Sequence, residues 1–153
     1  RMTVAGAEAT RRVAPTPGRF YLDTSSYLAV LLGERGHEAL VRETAGGVLL
    51  SSSLLALEAH RTLVHLARHG ILRTADLNKS LERLDADLDQ FVLRDLTLDL
   101  CRRGAVPVVS TPRSLDLAHL RTALWFHARE PLTRFVSLDG PQNDAAREVG
   151  LPV

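Results

Sequence analysis

Apolar residues fall along this chain in short runs that alternate with longer amphipathic stretches. Phe20-Tyr21-Leu22 is a run of strand length, ended by Asp23 and followed at once by a helical pattern, SSYLAVLLGE. Asp23, Thr24 and Ser25 stand where a helix N-cap belongs. GHEALVRETA predicts a second short helix, stopped by Gly46-Gly47. Val48-Leu49-Leu50 is the next strand, with Ser51 to Ser53 capping a long helix that reaches about Arg68. Within TADLNKSLERLDADLDQ, Leu77, Leu81, Leu84 and Leu88 recur at 4-3-4 spacing and define one apolar helix face. Four leucines suit core or dimer packing and are too few for a coiled coil. Phe91-Val92-Leu93 predicts another strand, with a helix behind it through Cys101. Gly104 to Pro112 reads as loop, with Val106 to Val109 open to an extended conformation. A strong helix follows from Ser114 to about Arg129. Phe135 to Leu138 is a strand ending at Asp139, and AAREVG is the last helix.

Short apolar strands alternating with helices predict an α/β domain. Its core is a central parallel sheet of four to five strands, covered by helices on both faces. Residues 1–18, small, polar and punctuated by Pro15, Pro17 and Gly18, are expected to form a flexible arm. The domain proper is expected over residues 19–153. A chain of 153 residues can bury a core, and 45% apolar content with a net charge of +1 excludes disorder as its main state. Cys101 has no partner for a disulfide and is expected to be a buried thiol. No apolar run approaches the roughly 18–20 residues of a membrane span. The N-terminal stretch also lacks the apolar segment of a signal peptide, so the expectation is a cytoplasmic protein with no membrane contact. Eighteen of the nineteen basic residues are arginine, an excess that reads as GC-rich codon usage.

Chemistry in an open α/β sheet lies outside the carboxyl ends of the strands. Acids stand there. Asp23 ends the first strand and Asp139 the last; Glu58 lies in the second turn of the helix after Val48 to Leu50, and Asp116 opens the helix from Ser114. Each alone has a structural explanation, as N-cap, dipole partner or solvated helix residue. If the four converge, they repel one another and take up protons unless a cation joins them. Hard oxygen donors of this kind suit Mg²⁺ or Mn²⁺, ions that coordinate phosphate oxygens.

The strings FYLDTSSYLAVL, SSSLLALEAHRTL, RSLDLAHLRTA and FVSLDGPQNDAAREVGLPV resemble the four signature blocks of the PIN-domain family, and more narrowly the VapC-type ribonuclease toxins of toxin–antitoxin pairs. The last block is the most specific: Asp139, then Ala145-Ala146, then Gly150-Leu151-Pro152-Val153. The likeness spans residues 19–153. It implies a metal-dependent endoribonuclease in which Asp23, Glu58, Asp116 and Asp139 are catalytic and hold one or two Mg²⁺ or Mn²⁺ ions. It further implies a homodimer, an RNA substrate, and a VapB-like antitoxin whose tail covers the acidic pocket. Departures are GPQND in place of a basic, leucine-containing stretch, Ser137 where threonine is common, and His60 beside the glutamate block.

Neighbouring residues supply further candidates. Thr24 and Ser25 could bond Asp23 or a phosphate, with plain capping as the alternative. His119, one turn after Asp116, either orients a ligand or is a hydrogen-bonded structural histidine. Arg61 and Arg113 are placed to touch phosphate or to pair with the acids, and Ser137 keeps a hydroxyl near the last acid. His65 and His69 lack a third ligand and an HExxH, which argues against zinc. The absence of GxGxxG and of GxxxxGK[ST] argues against a nucleotide-binding domain. A catalytically inert PIN-fold module that binds RNA or regulates is the alternative function.

Overall fold

The computed structural model describes residues 13–102 and 113–153. Most of the expected N-terminal arm, and the stretch with Val106 to Val109, lie outside these. In chain order the elements are β1 (Arg19–Leu22), α1 (Thr24–Leu31), α2 (His37–Thr44), β2 (Val48–Ser52), α3 (Leu54–Arg68) and α4 (Thr74–Leu88). They continue with β3 (Val92–Arg94), α5 (Leu98–Cys101), α6 (Ser114–Arg129), β4 (Arg134–Val136) and α7 (Gly140–Glu148). The four strands form one parallel sheet in the order β3-β2-β1-β4. β1 is central, with Phe20 opposite Leu49 of β2 and Tyr21 opposite Phe135 of β4.

The period of two along each strand divides the core between two faces. Tyr21, Leu50 and Phe135 point to one side, where they pack with Leu120, Ala123 and Phe126 of α6 and Ala145 and Ala146 of α7. Phe20, Leu22 and Val136 point to the other, against Leu40 of α2. Beyond them Tyr27 and Leu28 of α1 pack with Leu55, Ala59 and Leu63 of α3 and Leu84 of α4. The apolar face of α4 is therefore spent on the core: Leu84 is buried, and Leu77, Leu81 and Leu88 pack around it.

Several boundaries differ from those expected. Of the three serines expected to cap α3, only Ser53 is its N-cap residue. Ser51 and Ser52 belong to β2, paired with Leu93 and Arg94 of β3, and the fully buried Ser51 hydroxyl donates to the Leu22 carbonyl of β1 at 2.6 Å. Ser52 Oγ nevertheless accepts from the Leu54 amide at 3.2 Å, so the strand's last residue caps α3. β4 stops at Val136, three residues before Asp139. α7 begins at Gly140 rather than near Ala145, with Pro141 in its first turn, where a missing N–H costs nothing. The helix before Cys101 is a single turn, and Cys101 is exposed rather than buried.

Gly47 fixes the entry to β2. A Cβ there would stand 2.9 Å from the Gly18 carbonyl oxygen, which accepts from the Val48 amide at 2.8 Å, and 2.7 Å from the buried Phe20 ring. Neither neighbour is able to swing away. Gly47→Ala is expected to lower stability by about 1–3 kcal/mol. Gly140→Ala, with nothing near its added methyl, should stay within about 0.5 kcal/mol of the parent. Urea unfolding of the two variants checks the pair.

Candidate active site

Beyond the carboxyl ends of the strands lies a cleft of about 290 Å³. Its walls include Asp23, Thr24, Ser25, Glu58, Thr62, Arg113, Asp116, His119 and Asp139. All four acids expected from the sequence line it. Asp23 follows β1 and is the N-cap of α1, so the capping role and a place in the cleft belong to one side chain. Glu58 comes from α3, Asp116 from the first turn of α6, and Asp139 from the turn before α7.

How each carboxylate is held follows a common pattern. Asp23 is buried, and its Oδ1 accepts from Ser25 Oγ at 2.7 Å, the Ser26 amide at 3.1 Å and Ser26 Oγ at 3.2 Å. Glu58 takes both of its bonds on Oε1, from Thr24 Oγ1 at 2.9 Å and His119 Nε2 at 2.8 Å. Asp116 and Asp139 each use Oδ2, and both reach the same guanidinium: Arg113 Nε at 2.9 Å and Arg113 Nη2 at 3.4 Å. Among the described residues, no donor bonds the second oxygen of any of the four. One oxygen positions the group and the other is left for something else.

The bonds around Glu58 run back into the core. A carboxylate only accepts, so the His119 Nε2 facing it carries a proton. Nδ1 of the same buried ring lies 2.8 Å from the Tyr21 hydroxyl. Burial, first among several causes, raises the Tyr21 pKa well above its ordinary value, so the phenol keeps its proton. The Ser51 and Thr122 hydroxyls donate to backbone carbonyls, and the Tyr21 O–H donates to Nδ1. Burial also raises the Glu58 carboxyl. The hydrogen bonds from His119 and Thr24 and the Arg113 charge outweigh that and hold it below the ordinary carboxylate range. Glu58 is held ionised.

The remaining candidates divide. Ser137 is buried; its Oγ accepts from the Asp139 amide at 3.0 Å and lies 3.5 Å from Ser25 Oγ. It thereby couples the supports of the first and last acids. Arg113 pairs with Asp116 and Asp139, while the exposed Arg61 is not among the residues lining the cleft; Thr62, the next position on α3, is. Two contributors were not foreseen. Ser26 is fully buried, and its Oγ lies 2.9 Å from the Val136 carbonyl, its shortest acceptor, tying α1 to β4. Gln142, inside the GPQND stretch, is also buried and donates from Nε2 to the Asp116 carbonyl at 2.9 Å, pinning the start of α6 to α7. Its spacing of three from Asp139 was the available signal, hidden because α7 was expected to start later.

Among the described residues, no three His, Cys, Asp or Glu side chains stand close enough together to hold a metal ion as placed. The donor chemistry nonetheless fits a hard divalent cation: four carboxylates share a cleft, each with one oxygen that no donor among the described residues bonds. As placed, Asp116 and Asp139 meet at Arg113, and Glu58 bonds His119.

No family model and no curated protein matches the chain. Among solved structures it is similar to Mycobacterium tuberculosis VapC20, a sarcin-ricin loop cleaving toxin. The likeness covers 82% of this chain and 94% of that one, at a TM-score of 0.54 and 15% identity. The chain has the fold of a VapC-type PIN domain. In that PIN fold the cleft sits where the parallel strands deliver their following loops and helices, as the sheet rule requires. No helix among the described residues is long and apolar enough to cross a membrane.

Thr24→Val removes one bond to Glu58 and leaves the side-chain volume nearly unchanged. The carboxyl should then move up toward its ordinary 4.5. A depressed carboxyl contributes stability that is full above the unfolded value and lost as pH falls through the folded one. The stability gap between wild type and Thr24→Val at neutral pH should therefore narrow on acidification below 4.5. Urea unfolding at neutral pH and in acid measures it; a gap that widens in acid contradicts the assignment.

Proposed function

We propose that the protein is a divalent-metal-dependent endoribonuclease that hydrolyses RNA phosphodiesters. The observation that carries this reading is the pattern of bonds on Asp23, Glu58, Asp116 and Asp139, in which each carboxylate is fixed through one oxygen while no donor among the described residues bonds the other. A fold meant only to bind RNA has no reason to gather four acids against a polyanion, because each raises the cost of bringing a phosphate near. The inert-module alternative leaves that arrangement without a use.

One or two Mg²⁺ or Mn²⁺ ions held by the four acids would neutralise charge building on the phosphodiester and make a nearby water more acidic. The protein's own part is positioning. Ser25 and Ser26 fix the rotamer of Asp23, and Gln142 anchors the backbone that carries Asp116. His119 and Thr24 keep Glu58 ionised, so that it meets a cation or a water proton as a base. Arg113 brings the guanidinium nearest the acids, and its planar fork suits phosphate oxygens.

The resemblance to VapC toxins, joined to the shared fold, supports reading the chain as the toxin of a toxin–antitoxin pair. Its cleft would then be covered by a basic segment of a VapB-like partner. The same resemblance supports a homodimer and a cytoplasmic site of action. Purified protein is expected to cut RNA with Mg²⁺ or Mn²⁺ and to stop with excess chelator. Asp23→Asn and Asp139→Asn should abolish cutting while circular dichroism stays that of the parent. Undiminished cleavage by both variants would sink the proposal, and a metal-insensitive fold that binds RNA without cutting it would establish the inert alternative.

A further inference from the structure

Arg113 stands immediately before α6 with an extended backbone, φ −137° and ψ 146°, and its side chain turns back across the cleft mouth. One guanidinium joins two acids that come from different elements, Asp116 at 2.9 Å and Asp139 at 3.4 Å. Among the described residues, it is the arginine or lysine that lines the cleft. The acids are mostly covered, with side chains 17% and 27% exposed, but the arginine is 70% exposed. The cation is the exposed half of this cluster and the anions the covered half. Among these three side chains two negative charges face one positive charge, and a divalent ion would balance both carboxylates. Exposed ion pairs are weak, so such an ion is able to displace this one.

We propose that Arg113 is a tethered counter-ion, holding Asp116 and Asp139 together while the cleft lacks a divalent cation and exchanging with that cation when it binds. On exchange the guanidinium turns from carboxylate to the RNA phosphate, for which its bidentate geometry is equally suited. Arg113 is then a positioning residue with opposite effects on the two ligands. It opposes the metal and favours the substrate. This rests on the metal-nuclease reading above.

The test is calorimetric titration of Mn²⁺ into metal-free full-length protein, comparing wild type, Arg113→Gln and Arg113→Lys, with RNA cleavage kinetics alongside. Arg113→Gln is expected to bind Mn²⁺ about fivefold tighter than wild type, since the competing pairs are lost. Its KM for RNA should rise, with kcat much less affected. Arg113→Lys, which keeps the charge without the fork, should bind Mn²⁺ close to wild type and still show a raised KM. It also serves if the glutamine variant folds poorly. Equal or weaker Mn²⁺ binding by Arg113→Gln, with clear binding by wild type, overturns the exchange and leaves the nuclease reading standing. An unchanged KM in both variants overturns the phosphate contact. If no variant binds Mn²⁺, the metal-nuclease reading fails and the exchange fails with it.

Discussion

Like charges gathered at one edge of a sheet are the constraint on which the rest of this molecule depends. Two carboxylates about 6 Å apart repel by roughly 3 kcal/mol at an effective dielectric near 20. Here four share one cleft. The surroundings absorb that repulsion in separate ways: hydroxyls and an amide for Asp23, an imidazole for Glu58, a shared guanidinium for Asp116 and Asp139. Each support comes from an element already fixed by the core. The acids are therefore held apart by the packing of α1, α3, α6 and α7, and the stability of the sheet is what keeps them near one another.

Much of this was legible in the sequence, for identifiable reasons. β1, β2 and β4 were marked by short apolar runs, and the acids after them by the rule that places chemistry beyond strand ends. The identities of all four cleft acids follow from that rule and from the PIN-like blocks. Local bonding was less visible. Serines 51 and 52 read as a cap because serine favours caps, yet they pair with Leu93 and Arg94 of β3, a long-range contact that local preference does not show. Gln142 was hidden by a helix start placed about five residues late, and Pro141 was the overlooked sign of the true start. Thr62 and Arg61 are neighbours in sequence, and one step of about 100° around α3 decides which of them lines the cleft.

The comparison with VapC20 gives this a broader sense. At 15% identity little is retained except the path of the chain. A doubly covered parallel sheet brings the starts of several helices to one edge whatever residues pack its interior, so acids placed there share a cleft without further design. The groups that steady them are particular side chains. In this chain one of those groups is a histidine beside an apolar stretch of α6, and another is an amide side chain from α7.

Tyr21 carries a consequence of its own. Its ring stacks on Phe135 at 5.5 Å in the middle of the sheet, while its hydroxyl bonds the imidazole that steadies Glu58. Core and cleft thus share a side chain, so positions 21, 119 and 135 are not free to drift independently over evolution. A phenylalanine at position 21 would keep the packing and leave a buried ring nitrogen without its donor. Substitutions at these sites should travel as sets, which makes their joint variation among relatives a historical record of the link between a hydrophobic interior and a reactive surface.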